Sequence, residues 1–461
     1  MKRPIVGIIL AATTVLASCD FAPKYVRPVG AIPADLPQGG IYPPAASDAP
    51  DVTKIGWRDF FTDERLRQVI ASGIENNRDL RIAAANVLAA RAQYRIQRSE
   101  QLPTINATGA ADFQHADGKS FTTYTADAGF SAFEIDLFGR LKNLSKAALE
   151  QYFATEEAQR ATRIALIAEI ANAWLTLGAD RDQLVIARET MDSNLQTRDL
   201  TQAQFRIGTT SEVEARQADT QYQSARNDVA VLETQVAQDR NALEVLVGAP
   251  VPDALLPITL PANGATLNTL PAGVSSNILL QRPDVLQAEH RLIAQNANIG
   301  AARAAMFPTI SLTSLLGLAS GGLSGLFSGG AFTRTIEPAV SYDIFNAGRS
   351  RANVHLAEAN QQAALASYEK TLQTAFREVA DALAQRGTID EQLSATTAGS
   401  ESATVAARLS NARYRVGVGS FLDYLVNQRA AYVGQQQLVT TRLDRELNLV
   451  ELYRALGGGL S

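Results

Sequence analysis

The sequence contains two copies of one pattern. Leu102-Pro103-Thr104-Ile105 returns as Phe307-Pro308-Thr309-Ile310, 205 residues later, and Phe205-Arg206-Ile207-Gly208 returns as Tyr414-Arg415-Val416-Gly417, 209 residues later. A near-constant offset over such a span indicates a duplicated structural unit, and it has to be recognised before a fold is assigned. Each copy is predicted to form, in order, a helix, two strands, a very long helix and a further helix.

The N-terminus has the features of an export signal. Two basic residues precede a largely apolar run over 5–16, which is too short to cross a bilayer as a permanent helix. Leu16-Ala17-Ser18-Cys19 follows and resembles a bacterial lipobox, in which the cysteine is lipidated and becomes the mature N-terminus. The alternative is an ordinary secretory signal with an incidental cysteine. Because Cys19 is the only cysteine of the chain, we predict a signal peptide over 1–18 and lipidation at Cys19.

Four segments alternate apolar and polar residues with the period of a strand. They span about 104–114, 123–132, 309–318 and 332–345. The fourth is weaker, because Pro338 requires an edge, a bulge or a strand end. Known single-chain outer-membrane barrels start at about eight strands, and open sheet edges are not tolerated in lipid. If the strands cross a membrane, several copies of the chain must pool them.

Two long segments, 139–206 and 348–415, contain no proline and are rich in Ala, Gln, Glu, Arg and Leu. A continuous helix of that length measures about 100 Å. Apolar residues recur at spacings of three and four, which predicts one covered stripe; they include Ile164, Ile167, Ala171, Trp174 and Leu175. Periodicity alone would favour a solid coiled-coil stalk, whereas the strand pairs in both copies favour a pore.

Several function classes are excluded by what the sequence lacks. Lys and Arg are scattered along a chain of net charge −5, so no nucleic-acid partner is expected. His115, His290 and His355 have no Cys or His neighbours at ligand spacing, so no metal or other cofactor is expected. No Gly-x-Ser-x-Gly motif or zinc-binding His pair is found, so we expect no catalytic residue and no enzyme.

Several segments, in the same order, resemble the TolC-like outer membrane factors, in the lipoprotein branch often called NodT or OprM type. The resemblance covers essentially the whole mature chain. The segments that carry it are Cys19 with Ala22-Pro23-Lys24-Tyr25-Val26-Arg27-Pro28, Glu134-Ile135-Asp136-Leu137-Phe138-Gly139-Arg140, Arg282-Pro283-Asp284-Val285, Ala301-Ala302-Arg303-Ala304-Ala305-Met306-Phe307-Pro308 and Leu452-Tyr453-Arg454-Ala455-Leu456-Gly457-Gly458-Gly459.

The resemblance implies an α+β membrane protein. A homotrimer would form one 12-stranded β-barrel, with four strands from each chain, continued by a long periplasmic α-helical barrel. The corresponding regions are a lipidated, Pro-rich tether over 19–56, a first repeat over 57–250, a linker over 251–275, a second repeat over 276–457 and a C-terminal tail over 458–461.

The resemblance also implies a function. The chain would be the outer membrane exit duct of a tripartite multidrug efflux pump, docked to a periplasmic adaptor and an inner-membrane RND-type transporter, and anchored to outer membrane lipid through palmitate-type acylation of Cys19. A lipid-anchored periplasmic coiled-coil scaffold without a pore is the alternative, and a periplasmic hydrolase is a fainter one. Asp20, which follows Cys19, resembles a signal for retention in the inner membrane of enteric bacteria.

In that family, acidic residues beyond the second hairpin turn surround the periplasmic aperture. Asp423 matches this position, whereas Val426 and Gly419 replace an acidic and a basic residue found in some members. Tyr414 and Glu214 match positions that hold the closed tip together, and we hypothesise a hydrogen bond between them. The alternative for Asp423 and Glu214 is an ordinary solvated helix surface.

Overall fold

The computed structural model describes residues 20–43, 55–262, 264–267 and 275–458. Cys19 and the predicted signal peptide lie outside the described residues. The helices are α1 (Trp57–Phe60), α2 (Glu64–Asn76), α3 (Arg78–Ser99), α4 (Arg140–Arg206), α5 (Glu212–Val247), α6 (Pro283–Ala304), α7 (Arg349–Arg415) and α8 (Phe421–Ala455). The strands are β1 (Asn106–Ala116), β2 (Lys119–Glu134), β3 (Thr309–Ser320) and β4 (Phe332–Ser341).

The predicted order of elements is present in both copies. The first copy contains α3, β1, β2, α4 and α5, and the second contains α6, β3, β4, α7 and α8. Helices α4 and α7 have 67 residues each. Each ends shortly before a glycine with positive φ, Gly208 or Gly417, a conformation that glycine adopts without steric cost at a helix end. The prediction of two very long helices is confirmed.

The chain divides into two compact units, and each unit draws on both copies of the repeat. The first unit comprises Ala84–Ala158 and Leu286–Thr371 together with the N-terminal segment up to Val29. The second comprises Gly30–Ala83, Gln159–Val285 and the chain from Leu372 onwards. Among the described residues, no helix combines the length and apolar character needed to cross a membrane.

The first unit contains one antiparallel sheet in the order β1-β2-β3-β4. Asn106 pairs with Gly129 across β1 and β2, and Thr309 pairs with Ser341 across β3 and β4. Pro338 lies in β4, at an edge of this sheet, which is one of the settings that the sequence predicted for it.

Strand β4 ends earlier than predicted. It stops at Ser341, not at Phe345. The backbone then enters α7 through Ala347 and Gly348, which have φ values of 51° and 85°. The strand ends where its partner does, since Ser341 pairs with Thr309, the first residue of β3. The alternation of side chains in β4 did not indicate that limit.

Helices α4 and α6 are joined within the first unit by a histidine–carboxylate pair. His290 Nδ1 lies 2.7 Å from Glu150 Oε2, and the two side chains are 27% and 15% exposed. The hydrogen bond to Glu150 raises the pKa of His290, partly opposed by burial, and the charges of Glu157 and Glu289 raise it further. His290 is therefore a packed structural residue.

This pair makes stability depend on pH. A raised folded-state pKa means that the contribution is fully present below the unfolded value of about 6.5 and is lost as the pH rises through the folded value. We expect His290→Asn to lower the Tm in detergent by about 1–3 °C at mildly acidic pH and by less at alkaline pH. His355→Asn is the matched control, because His355 is 70% exposed and 3.6 Å from Glu358. An equal loss at both pH values would contradict the assignment.

The second unit has a helical core. The predicted apolar stripe of α4 is buried: Ile164 is 7% exposed, Ile167 is 2% exposed, and Ala171, Trp174 and Leu175 are fully buried. The indole Nε1 of Trp174 donates to the carbonyl of Leu255 at 2.9 Å, so its polar atom is satisfied inside the core. The stripe was therefore predicted correctly.

The Arg282-Pro283-Asp284 segment forms an ionic junction in the second unit. The guanidinium of Arg282, 5% exposed, donates to Asp284 and Glu378 and to the carbonyl of Ala455 at 2.7–3.0 Å. Arg454 also contacts Glu378, at 3.2 Å. A buried arginine is stable only when its donors are paired, so this segment connects the start of α6 to α7 and to the end of α8.

The described part of the N-terminal segment, residues 20–43, is extended, as predicted, and it makes specific contacts with both units. In the second unit, Ser276 Oγ donates to the carbonyl of Pro33 at 2.6 Å, and Gly387 leaves room for the carbonyl of Ile41. In the first unit, Asp20 Oδ1 accepts hydrogen bonds from the backbone of Ala22 and from Asn143 Nδ2 at 3.0 and 3.1 Å. A tether that only spans distance would not need such specific contacts.

Candidate functional site at the hairpin tips

Both hairpin turns begin their second helix with a serine cap. Ser211 Oγ accepts a hydrogen bond from the backbone N–H of Glu214 at 3.2 Å, and Ser420 Oγ accepts one from that of Asp423 at 3.0 Å. Serine is a preferred residue for this position because its oxygen satisfies an N–H that the helix leaves unpaired. Glu214 and Asp423 therefore occupy equivalent positions of α5 and α8.

The two carboxylates nevertheless have different surroundings. Glu214 Oε2 accepts hydrogen bonds from the hydroxyl of Thr210 and, at 3.2 Å, from the backbone of Ser211, which completes a capping box. The same two bonds lower the pKa of Glu214. Among the described residues, the carboxylate of exposed Asp423 has no hydrogen bond or ion pair. Glu214 thus stabilises its own turn, whereas the carboxylate of Asp423 is exposed to solvent.

A buried cluster, here called the tip lock, connects α4, α7 and α8 near the hairpin turns. It consists of Tyr414 on α7, Phe421 and Tyr424 on α8, and Thr197 and Thr201 on α4. The three rings are 7%, 3% and 2% exposed. Tyr414 and Tyr424 stack at 5.7 Å between ring centroids, and Phe421 packs 5.5 Å from Tyr414.

Two hydroxyl pairs connect the tip lock to α4. Tyr424 lies 2.9 Å from Thr197 Oγ1, and Tyr414 lies 2.8 Å from Thr201 Oγ1. Both threonine hydroxyls also bond a helix carbonyl four residues earlier, at 3.0 and 2.8 Å. A hydroxyl can both donate and accept, so either oxygen can be the donor in each pair. The tip lock is therefore held together by neutral hydrogen bonds between buried groups.

Among the described residues, Tyr414 and Glu214 form no hydrogen bond with each other, so the hypothesised bond is not made within one chain. The hydroxyl of Tyr414 bonds Thr201 and Gln204, at 2.8 and 3.2 Å, while Glu214 is occupied by its capping box. The two residues are still neighbours: burial raises the pKa of Tyr414, and the charge of Glu214 raises it further.

Sequence reasoning identified Tyr414 but missed Thr197, Thr201 and Tyr424. The two threonines lie four residues apart, on one face of α4, and each is buried although its side chain is polar. Buried threonines at this spacing in a long helix indicate a partner that carries a hydrogen-bonding group. The spacing of the two threonines is visible in the sequence. Their burial and the identity of their partners are not.

Comparison with known proteins identifies the family that has this architecture. The family model for outer membrane efflux proteins matches residues 69–249 and 274–458. The chain is 42% identical to the toluene efflux pump outer membrane protein TtgC of Pseudomonas putida, over 100% of this chain and 96% of that protein. It is 40% identical to the cation efflux system protein CusC of Escherichia coli O157:H7, over 96% of each.

A solved structure has the same fold. The open state of the MtrE outer membrane channel of Neisseria gonorrhoeae superposes with a TM-score of 0.85 and 36% identity, covering 96% of this chain and 99% of that one. The relatives are efflux channels and not enzymes. The chain therefore belongs to the outer membrane efflux protein family, has the TolC-like fold, and serves in an efflux system as an outer membrane exit duct, which extends into the periplasm.

Proposed function

We propose that three copies of the chain assemble into one duct that receives small molecules from a periplasmic adaptor and an inner-membrane RND-type transporter. The observation that supports this is the open sheet. Its edge strands β1 and β4 have no partner on their outer sides among the described residues, and apolar side chains such as Phe113, Phe332 and Val340 are about 70% exposed. Unpaired edges require another strand, and three copies would supply the twelve strands of one closed pore.

Conduction through this duct is passive, and the energy for efflux comes from the inner-membrane transporter. Relatives of nearly equal identity are named for toluene and for cations. Because similar ducts serve such different cargo, we assign the choice of cargo mainly to the inner-membrane transporter.

We propose that Asp423 forms the electrostatic part of the periplasmic gate, together with the tip lock. Three copies of an exposed carboxylate around a narrow axis would attract cations and repel anions. The neighbouring exposed residues of α8, Leu422 and Val426, are apolar and 63% and 57% exposed. The acidic ring would therefore be bordered by surfaces that do not hold ions.

If Asp423 forms this gate, replacing its carboxylate should change the ion selectivity of the channel. Asp423→Ala should abolish most of the cation preference of the channel, so that the reversal potential in a KCl gradient moves toward zero. Glu214→Ala is the matched control at the equivalent position. It removes a capping-box partner and should cost about 1 kcal/mol of helix stability without changing selectivity. An unchanged reversal potential in Asp423→Ala would refute the assignment.

We propose further that Cys19 is lipidated, with acyl chains in the outer membrane. Its position after an apolar signal, and its being the only cysteine in 461 residues, support this. Mass spectrometry of the mature N-terminal peptide should find it beginning at Cys19 and carrying the added mass of acyl chains. An unmodified peptide that begins elsewhere would contradict the proposal.

A further inference from the structure

We propose that helix α6 carries a sequence-specific peptide-binding groove, which residues 20–29 of the chain occupy in cis and which binds a free peptide of the same sequence once that segment is weakened. The occupant is here called the N-terminal arm. It runs antiparallel to α6, since Ala22 meets Gly300, Pro23 meets Asn296, and Tyr25 with Arg27 meet Glu289.

The first part of the groove is defined by shape. Phe21 stacks on Phe307 with 4.8 Å between ring centroids, and Phe307 stacks on Phe138 at the same distance. Next to this stack, a Cβ atom at Gly300 would lie 2.7 Å from the backbone nitrogen of Ala22. Glycine weakens a helix interior, and here it leaves the notch in which Ala22 lies. The groove thus selects an aromatic residue followed by a small one.

The middle of the groove recognises the backbone. Asn296 is 8% exposed, and its Nδ2 donates to the carbonyl of Pro23 at 2.6 Å. Proline has no backbone N–H that needs an acceptor, so the donor on Asn296 satisfies the one backbone polar group of Pro23. This contact fixes the register of the arm between the aromatic stack and its charged end.

The charged end depends on one buried carboxylate. Glu289 is 6% exposed, and it accepts a hydrogen bond from the hydroxyl of Tyr25 at 2.9 Å and two from Arg27 at 2.8 and 2.7 Å. A bidentate arginine–carboxylate pair has high geometric specificity. Without the arm, Glu289 would lose all three of these partners, and fully buried Tyr368 beside it would lose part of its cover.

These contacts make the groove selective for side chains. Shape, one side-chain donor and one carboxylate recognise successive parts of the arm, so binding follows the order aromatic, small, proline, tyrosine, arginine. A tethered segment competes at a millimolar effective concentration, and therefore a free peptide binds only after the cis contacts are weakened. Cys19 precedes Phe21 by two residues in the sequence. If Cys19 is lipidated as proposed, an arm bound in the groove also restrains the lipid anchor.

The test uses the full-length chain and a fluorescent peptide with the sequence of residues 20–29. The native chain should bind it little, because its groove is filled. Tyr25→Ala/Arg27→Ala weakens the arm but leaves the groove intact, and it should bind the peptide at least tenfold more tightly than the native chain does. Adding Glu289→Ala should remove that gain, whereas adding Glu358→Ala, which breaks the Arg303 ion pair of the same unit, should leave it.

Trypsin cleavage after Lys24 keeps the result interpretable. The arm should resist cleavage in the native chain and be cleaved rapidly in Tyr25→Ala/Arg27→Ala. Gly300→Val provides a second route, since it fills the notch: the arm should be cleaved rapidly, yet the peptide should not bind. Rapid cleavage in the native chain, no peptide binding to a double variant with a cleavable arm, or binding that is indifferent to Glu289→Ala would each overturn the proposal.

Discussion

Replacing Tyr414 and Tyr424 together by phenylalanine should raise the open probability of the channel about tenfold or more. The variant keeps both rings and removes the two hydroxyls that form hydrogen bonds with Thr201 and Thr197. Each neutral hydrogen bond contributes about 0.5–1.5 kcal/mol, and a loss of about 1.4 kcal/mol is a tenfold change in an equilibrium. Since both bonds join α4 to the second hairpin, their loss should favour the open tip.

The measurement is single-channel recording of the native chain and the double variant under the same salt. Tyr222→Phe is the matched control, because the Tyr222 hydroxyl makes no hydrogen bond among the described residues and its ring still lies under Arg198, 4.4 Å from it. Thr201→Val should give a smaller increase, since Tyr414 retains Gln204 as an acceptor. Equal open probabilities in the double variant and the control would show that the tip lock does not hold the gate.

Gly317→Val should reduce assembled channel in the outer membrane at least tenfold. Gly317 lies in β3, opposite Asp127 of β2. A Cβ at this position would lie 2.5 Å from the carbonyl oxygen of Ala126 and 2.8 Å from Cα of Asp127. Both atoms belong to the backbone, so only a displacement of β2 could make room, and the pairing of β2 with β3 would be lost.

Gly109→Val is the matched control for that variant. Gly109 pairs with Ala126 from the other side of β2, and the nearest atom to its added Cβ is 3.9 Å away. Valine favours strands, so assembly should be unchanged or improved. The measurement is the yield of detergent-extracted oligomer from the outer membrane fraction. Similar yields from the two variants would contradict the predicted role of the close approach at Gly317.

The regular elements could be predicted because their information is local. A proline-free run with apolar residues at spacings of three and four predicts a helix wherever it occurs, and Trp174 and its neighbours were placed in the core on that basis. The glycine at each hairpin turn is likewise a local signal. The end of β4 was missed because it depends on where the partner strand β3 begins, at Thr309, and the residues of β4 do not indicate that position.

The arrangement of the candidate site could be predicted only in part. Resemblance identified Asp423, Tyr414 and Glu214, but the partners of Tyr414 depend on how α4 approaches α7, and the two helices are more than 200 residues apart in the chain. The packing of the N-terminal arm was missed for the same reason. Its contacts lie on α6, about 270 residues later, and a proline-rich composition alone indicates only that a segment is extended.

The most direct test of the duct is the single-channel conductance of the purified protein in planar bilayers, measured together with its native mass in detergent. We predict a particle of three chains that gives a small, cation-selective conductance, because the tip lock keeps the aperture narrow and Asp423 gives it charge. A folded monomer without conductance would contradict the account and would favour a lipid-anchored scaffold without a pore.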